Sequence, residues 1–324
     1  MPPIRICLIG NFTPNPDEGM RKSAIQLREA LSSRSELLCL NPAQALRSKE
    51  LAPFEPEIIQ YIPGPSPMSL AVLKLLKFRA RRARTASMIT HPMHVENAIV
   101  WKLIPPDIVL TFSPAWKDYL ARFKVNVSQI PGAVDTGRFR PADGDEKTRI
   151  RRRLGLPDDA FIALHVGHLS RGRGLSRMTL LPPKGVLPLI VVSGSTGQDI
   201  GFRKSLIESG CTVIHGFVKD IESYYQASDC YTFPTQIAWR GMDLPLSIIE
   251  AMACNLPVVS MNFGCVAKLY GGVPGFKVVE SDEGFAGGIA EFKAHLPRIE
   301  TRKAVEGNDW GNLASKMLSI YKGA

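Results

Sequence analysis

Short apolar runs alternate with helix-like segments along the whole chain, and this alternation is the feature that most restricts its fold. The runs in the first half are Ile4–Ile9, Leu37–Leu40, Ile58–Ile62, Ser87–Thr90 and Asp107–Thr111. Those in the second half are Phe161–Val166, Leu189–Val192, Thr212–His215, Cys230–Phe233 and Pro257–Ser260. Because parallel strands need a crossover connection, usually a helix, the pattern predicts βαβ units and an α/β fold.

A segment rich in proline and glycine, Ile130–Pro141, interrupts the alternation, and the polar stretch Ala142–Lys147 follows it. Such a break is typical of a hinge, and 324 residues are enough for two domains. We predict two doubly wound Rossmann-like domains, over residues 1–140 and 141–306, that face each other across a cleft. Open α/β sheets bind ligands beyond the carboxyl ends of their strands, so the topology predicts a small-molecule site between the domains.

The composition is that of a folded protein with a surplus of positive charge. Hydrophobic residues make up 45% of the chain and charged residues 22%, which argues against disorder. The formal net charge of +10 points to an anionic partner such as a phosphorylated ligand, an anionic membrane or nucleic acid. A basic host proteome is the alternative explanation.

Cysteine usage and hydropathy indicate a location in the cytoplasm. The six cysteines form no Cys-x-x-Cys pair, so we expect a reducing compartment and neither a disulfide framework nor a zinc site. The N-terminus lacks the layout of a signal peptide, and no apolar stretch reaches the roughly 18 residues that a membrane span needs.

The loop Val166–Leu175 is the first of two stretches that carry candidate chemistry, and it follows the first strand of the second half. Gly167 lets the backbone approach a ligand closely, while His168, Arg171 and Arg173 supply positive charge. Backbone N–H groups combined with paired cations are what a diphosphate requires. A flexible basic surface loop is the alternative interpretation.

The second stretch is Gly241–Ser260, a largely apolar segment with the carboxylates Asp243 and Glu250. Ser247 and Glu250 match a capping box, in which the serine caps the helix and the glutamate reaches back to it. Asn255 then ends the helix in the left-handed conformation. In the functional alternative, Glu250 holds two ribose hydroxyls through charge-assisted hydrogen bonds.

A set of motifs in a fixed order resembles the retaining glycosyltransferases of family 4, which have the two-domain GT-B fold. The matching segments are Ile130–Pro141, Arg153–Pro157, Val166–Leu175, Gly216–Val218, Tyr225–Asp229, Phe233–Thr235 and Leu244–Ala253. The resemblance covers residues 130–280 closely, and the first 125 residues in layout only. It implies that residues 1–140 hold the acceptor, that 141–306 bind the nucleotide sugar, and that a final helix in 307–324 crosses back onto the first domain.

The resemblance also assigns roles to individual residues in binding a nucleotide-diphosphate sugar. The donor-diphosphate positions fall on Gly19, Gly167, His168, Arg171 and Arg173. The positions for the donor sugar and ribose fall on Asp243, Leu244, Pro245, Leu246 and Glu250, and those for the base on Gly216, Phe217 and Val218. The implied catalytic residues are His91, Arg173 and Glu250, with His94 as a nearby rival of His91.

Two of these positions depart from the family pattern. His168 stands where the family has arginine, and Met242 stands where the first of its two glutamates is due. Asp243, one residue later, either takes over from that glutamate or points to solvent.

Two basic clusters and a pair of linker aspartates are the remaining charged features of the sequence. The basic stretch Lys74–Arg84 is either a core helix with a solvated basic end or a contact for anionic lipid. We expect Arg149–Arg153 to form a solvated helix face. Asp143 and Asp145 lie in the linker, away from a strand end, so we expect no metal site there. The resemblance implies that neither a metal nor a cofactor is needed.

We therefore predict a retaining, metal-independent glycosyltransferase that moves a sugar from a UDP- or GDP-sugar to a glycan, lipid-linked or small-molecule acceptor, with possible peripheral contact to an anionic membrane. The first alternative is a nucleotide-sugar-binding protein with weak or lost transferase activity, because Met242 and His168 are departures at donor-contact positions. The second is a nucleic-acid-binding protein, based on the net charge. Since no recognition module with interleaved aromatic residues is present, we expect no nucleic-acid partner.

Overall fold

The structure is a computed structural model that describes residues 2–13, 19–64, 66–91, 101, 103–181, 185–194, 199–237, 241–295 and 298–323. It divides into two compact units. The first contains residues 1–132, 241–244 and 310–324, and the second contains residues 133–240 and 245–309. Each unit is built on a parallel sheet, as the alternation in the sequence predicts.

The sheet of the first unit has the strand order β2-β1-β3-β4-β5-β6. Its strands are β1 (Ile4–Ile9), β2 (Ser35–Leu40), β3 (Ile58–Gly64), β4 (Arg84–Ile89), β5 (Ile108–Thr111) and β6 (Val127–Gln129), all paired in parallel. The described helices between them are α1 (Gly19–Ser32), α2 (Pro42–Ala45), α3 (Leu51–Phe54), α4 (Pro67–Arg79) and α5 (Pro114–Ala121). The strands β1, β4 and β5 are almost wholly buried, as is typical of a parallel sheet with helices packed on it.

The sheet of the second unit has the strand order β12-β11-β10-β7-β8-β9, again wholly parallel. Its strands are β7 (Phe161–Gly167), β8 (Val186–Val192), β9 (Thr212–His215), β10 (Cys230–Phe233), β11 (Val258–Met261) and β12 (Phe276–Val279). Its helices are α6 (Gly144–Leu154), α7 (Ile200–Glu208), α8 (Ile221–Ala227), α9 (Leu246–Ala253), α10 (Val266–Tyr270) and α11 (Asp282–Ala294). The strand order reverses between β7 and β10, which makes this the switch point where doubly wound sheets bind ligands.

All ten apolar runs recognised in the sequence overlap strands. The prediction missed β6 and β12, whose sequences, Val-Ser-Gln and Phe-Lys-Val-Val, carry polar residues. Strand propensity alone does not single out such short polar segments, and pairing with β5 and β11 fixes them instead.

The boundary between the units falls after Gly132, earlier than the predicted division after residue 140. Hydrogen bonds explain the difference. The N–H of Val134 donates to the carbonyl of Asn308 over 2.9 Å, and the guanidinium of Arg302 donates to the carbonyls of Thr136 and Phe139 over 3.2 and 3.1 Å. The segment after Gly132 is therefore fixed to the second unit.

The terminal helix α12 (Trp310–Gly323) belongs to the first unit. Tyr321 is buried, and its hydroxyl donates to Oε1 of the buried Gln60 on β3 over 2.7 Å. Arg34 donates to the carbonyl of Gly311 over 2.7 Å at the other end of the helix. These polar contacts fix the register of α12 against the unit that begins the chain.

The basic cluster Arg149–Arg153 is not the wholly solvated face that the sequence predicts. Arg151 is buried, and its guanidinium donates to Asp229 over 2.6 Å and to the carbonyl of Ala227 over 2.9 Å. The carboxylate of Asp229 also accepts from the N–H of Ile162 over 2.7 Å. A run of arginines looks solvated in sequence, but a carboxylate 78 positions later satisfies one of them inside the unit.

Candidate active site

The carboxyl ends of four adjacent strands of the second unit bring the predicted donor-binding loops to one sheet edge. In the sheet, β10, β7, β8 and β9 are neighbours, and all run parallel. The segments that follow them include Pro234–Thr235, His168–Gly174, Ser193–Gly194 and Gly216–Val218. Because parallel strands end on the same side, these segments share the edge at the switch point.

The loop after β7 is held in a compact turn. Arg171–Arg173 form a 3₁₀ turn, and Gly174 follows with a φ of 68°. A Cβ on Gly174 would lie 2.4 Å from the carbonyl oxygen of Pro234, so only glycine allows this approach. The hydroxyl of Thr235 donates to the carbonyl of Arg173 over 3.1 Å. The loop is thus attached to the segment after β10, on the other side of the switch point.

Two of the predicted diphosphate-binding side chains lie together in this loop. Nη2 of Arg173 is 3.5 Å from Nδ1 of His168, and since a guanidinium only donates, Nδ1 accepts. Arg171 points elsewhere: its Nε donates to Asp199 over 2.9 Å, and its guanidinium lies 4.7 Å from the centre of the Phe202 ring. The geometry therefore pairs Arg173 with His168 and directs Arg171 to the start of α7.

A buried histidine below the loop was not recognised from the sequence. His165 lies on β7, and its Nδ1 is 3.0 Å from the carbonyl of Thr232, to which it must donate. Complete burial lowers the pKa of His165 to about 4, so the ring is neutral. A Cβ on Gly167 would lie 2.7 Å from its Nε2, so this glycine leaves room for the imidazole. The available signal was a histidine inside an otherwise apolar strand.

Glu250 does not take part in the predicted capping box. Helix α9 begins at Leu246 with Pro245 as its N-cap and no side-chain cap, so Ser247 is already inside the first turn. The side chain of Ser247 interacts with the phenol of Tyr231 instead. The box prediction was wrong because the cap position falls on Pro245, which has an extended ψ of 126°, two residues before the predicted cap Ser247.

The carboxylate of Glu250 is buried and accepts a hydrogen bond from the hydroxyl of Tyr225 over 2.8 Å. Burial, reinforced by the neighbouring Glu250, raises the pKa of Tyr225 far above its ordinary value, so the phenol stays protonated and donates. Asn255 ends α9 at a φ of 55°, which confirms the left-handed position predicted for it. Its side-chain oxygen accepts from the N–H of Arg302 over 3.1 Å, which secures the end of the helix.

The first unit holds a second group of predicted residues at the end of β4. The hydroxyl of Thr90 lies 3.0 Å from Nδ1 of His91, and the carbonyl of Thr90 accepts from the N–H of Asp243 over 2.9 Å. Asp243 is only 5% exposed, so of the two alternatives for this carboxylate the solvent-facing one is wrong. Its N–H is engaged by the protein, and Met242 and Leu244 beside it are buried. His94 lies outside the described residues.

The predicted base-binding segment combines a constrained backbone with an exposed ring. Gly216 has a φ of 116°, and its N–H donates to the carbonyl of Val192 over 3.1 Å. Phe217 exposes 60% of its surface, whereas most aromatic rings of this unit are buried. Gly194 lies close by, since a Cβ there would be 3.5 Å from the Cα of Gly216. An exposed ring at the carboxyl edge of a sheet suits stacking against a planar base.

The remaining predicted positions have plain structural settings. Gly19 is the first residue of α1, and Pro245 and Leu246 are buried at the start of α9. Asp143 caps α6 by accepting from the N–H of Glu146 over 2.7 Å, which gives this linker acid a structural role. Within the described part of the chain, no group of three or more His, Cys, Asp or Glu side chains is placed to hold a metal ion.

The sequence of this chain is similar to those of known glycosyltransferases. The family model for glycosyl transferases group 1 matches residues 184–294, most of which belong to the second unit. The putative teichuronic acid biosynthesis glycosyltransferase TuaC of Bacillus subtilis is 31% identical over 149 residues, which cover 44% of this chain and 35% of that protein. The chain spans about a third to a half of the length of the curated relatives it matches.

Solved structures resemble the chain over nearly its full length. Sucrose-phosphate synthase from Thermosynechococcus elongatus has a TM-score of 0.79 at 18% identity, and the similarity covers 98% of each chain. HepE from Anabaena, solved in complex with UDP, has a TM-score of 0.76 at 15% identity and covers 99% of this chain and 100% of its own. At these identities the likeness establishes the fold, which is the two-unit α/β fold of GT-B glycosyltransferases. The chain thus has a GT-B fold and matches glycosyl transferases group 1 over residues 184–294.

Proposed function

We propose that this protein is a glycosyltransferase that takes its sugar from a nucleotide-diphosphate donor. The observation that carries the proposal is the pairing of Arg173 with His168 at the switch point of the second sheet. The similarity to TuaC and to the UDP complex of HepE supports it. A further solved structure of HepE contains UDP-glucose, which makes UDP-sugars the first donors to test.

In this proposal the diphosphate lies against the loop after β7. Arg173 and His168 donate hydrogen bonds to phosphate oxygens, and the arginine neutralises the charge that grows on the leaving diphosphate as the glycosidic bond breaks. Electrostatic stabilisation of the leaving group is the contribution this unit makes to the transition state. Gly167 and Gly174 keep the loop backbone close to the ligand.

Glu250 is the proposed ribose ligand. An ionised carboxylate has about four lone-pair sites, so it can accept from Tyr225 and still bind two ribose hydroxyls. The hydrogen bond from Tyr225 also fixes the orientation of the carboxylate at the start of α9. Phe217 is the proposed stacking partner of the base, with Gly216 and Val218 as backbone contacts.

We further propose that transfer proceeds with retention of configuration and without a metal ion, and that His91 and Asp243 contact the transferred sugar. The group 1 domain and the resemblance of the motifs support these finer points. The acceptor is a glycan, a lipid-linked glycan or a small molecule.

A nucleotide-sugar-binding protein with weak or lost transfer activity is the second candidate. It is favoured by two specific departures, Met242 in place of a glutamate and His168 in place of an arginine. This candidate shares the donor site but not the chemistry.

A donor panel tests the proposal. The purified chain is incubated with UDP-, GDP- and ADP-sugars in the presence of EDTA, with and without acceptor extracts, and release of the nucleoside diphosphate is followed. We expect turnover with one donor class, unaffected by the chelator. Donor-dependent thermal stabilisation without release in any extract would favour the binding protein, and no response to any donor would contradict both.

A further inference from the structure

Helix α4 of the first unit carries an exposed apolar stripe. Met68, Leu75 and Phe78 expose 73%, 51% and 63% of their surfaces. Spaced by seven and three residues, these side chains share one side of the helix. The other side is buried in the core through Leu70, Val72, Leu73 and Leu76. The helix is therefore apolar on both sides, which is why its sequence shows no single apolar face.

Positive charge surrounds this stripe. Lys74 is exposed and lies within it, with Nζ 5.8 Å from the centre of the Phe78 ring, and the exposed Arg81 and Arg82 follow the end of the helix. The sequence contains no Asp or Glu between Glu57 and Glu96. The face that α4 presents to solvent thus combines large apolar side chains with cations.

The two other cations of the helix have structural partners. Lys77 binds Asp107 over 2.6 Å, and Arg79 donates to the carbonyls of Leu46 and Ser48. Although burial alone would raise it, hydrogen bonds from Lys77 and Thr85 hold the pKa of Asp107 below its ordinary value. These contacts attach α4 to its unit. They do not involve Met68, Lys74, Leu75 or Phe78 on the exposed side of the helix.

We propose that this face, which we call the α4 face (Met68, Lys74, Leu75, Phe78, Arg81 and Arg82), docks on the surface of an anionic lipid bilayer. Large apolar side chains enter the boundary between headgroups and acyl chains, and neighbouring cations pair with anionic headgroups. The helix lies on the surface, because none of the described helices is both long and apolar enough to cross a membrane.

Charge complementarity selects lipid over a second copy of this chain. A two-fold interface would bring the α4 face against itself, so that Lys74, Arg81 and Arg82 would meet the same cations without an acid in the segment to pair with them. A nucleic acid satisfies the cations but leaves the three apolar side chains in water. A bilayer with anionic lipids satisfies both.

Vesicle flotation with the full chain tests this inference. We expect binding at low salt to phosphatidylcholine vesicles that contain phosphatidylglycerol, weak binding to phosphatidylcholine alone, and loss of binding as salt rises. The triple variant Lys74→Gln/Arg81→Gln/Arg82→Gln should weaken binding about 100-fold, since each cation near the surface contributes about fivefold. The readout needs no donor or acceptor, so its failure leaves the proposed sugar transfer standing.

A pair of matched substitutions tests the apolar part. Leu75 and Ile207 are both 51% exposed, the first on the α4 face and the second on α7 of the other unit. Leu75→Ser should weaken vesicle binding at least fivefold, and Ile207→Ser should leave it unchanged, with circular dichroism showing that both fold. Equal effects of the two variants would overturn the inference. So would no binding of the unaltered chain to anionic vesicles, or a dimer seen by light scattering that Leu75→Ser dissolves while vesicles stay unbound.

Discussion

Glu250 is the residue at which binding and folding are most closely joined. Glu250 is 6% exposed, and its carboxylate accepts a hydrogen bond from the hydroxyl of Tyr225. In the proposed function the same carboxylate also binds a ribose. Burial of a carboxylate without a hydrogen bond costs desolvation free energy. The hydrogen bond from Tyr225 offsets part of that cost in the protein without ligand. The sequence predicts either a capping box with Ser247 or a ribose contact for this glutamate, and the structure lacks the capping box.

Substitution of Glu250 by glutamine separates these two contributions. The amide oxygen still accepts from Tyr225, so we expect the free energy of unfolding to fall by less than about 1 kcal/mol. Charge-assisted hydrogen bonds to ribose contribute about 1.5–3 kcal/mol, so the Kd for UDP should rise at least about tenfold. Calorimetric titration and thermal unfolding measure the two effects. Tyr225→Phe, which keeps the carboxylate, is the control: it should lower stability more than affinity. Glu250→Gln with unchanged affinity for every nucleoside diphosphate would refute the ribose role.

His165 makes stability depend on pH in a defined window. Its pKa is about 4 in the folded protein and 6.5 as the ordinary value, so the unfolded chain binds the proton more readily. Stability is therefore complete above pH 6.5 and falls as the pH drops towards 4. Between pH 7.5 and 4.5 the loss due to this one group is about 2–3 kcal/mol.

The variant His165→Gln isolates that contribution. It keeps a donor for the carbonyl of Thr232 but cannot titrate. Between pH 7.5 and 4.5 its free energy of unfolding should therefore fall by about 2–3 kcal/mol less than that of the unaltered chain. Urea unfolding at the two pH values gives the comparison. His215→Gln, at an exposed position, is the control and should keep the original pH dependence. Identical slopes for His165→Gln and the unaltered chain would contradict a buried neutral imidazole.

At the scale of elements, the loop after β7 is shaped by one close backbone approach. Gly174 and Gly155 have nearly the same φ, 68° and 67°, but a Cβ on Gly174 meets the carbonyl of Pro234 whereas one on Gly155 meets nothing within 4 Å. Gly155→Ala should therefore cost only the left-handed backbone penalty, about 1–2 kcal/mol. Gly174→Ala should cost about 1–3 kcal/mol more, because packed backbone has to move.

The same pair of variants connects this loop to binding. Displacing the loop moves Arg173, so Gly174→Ala should also weaken UDP binding, while Gly155→Ala should not. Thermal unfolding and calorimetric titration measure both. Equal stabilities of the two alanine variants would show that the contact with Pro234 does not constrain the loop.

The elements also show where prediction from sequence succeeds and where it stops. Apolar runs located ten strands because burial on both faces leaves a strong local signal. The start of α9 differs from the prediction because Pro245 and Ser247 both favour a helix start, and the structure has Pro245 at the cap position. Partners far apart in sequence, such as Arg151 with Asp229, leave no local signal at all.

At the scale of the whole molecule, the ordered motifs carried more information than composition. The net charge of +10 is compatible with nucleic acid, lipid and phosphorylated ligands alike. The motifs predicted the GT-B fold, and the solved structures confirm it. The side-chain pairing inside the site, Arg173 with His168 and Glu250 with Tyr225, depends on contacts between separate elements and became visible only in the structure.

Calorimetric titration of UDP, with GDP and ADP in parallel, into three forms of the chain tests the central claim of a nucleoside-diphosphate site in the second unit. The unaltered chain should bind one of these nucleotides at a single site. Arg173→Gln should bind it at least about tenfold more weakly, because a charge-assisted contact to phosphate is lost. Arg152→Gln, which alters an arginine 70% exposed on α6, should bind it normally. Binding of none of the three nucleotides, or equal binding by Arg173→Gln, would contradict the account.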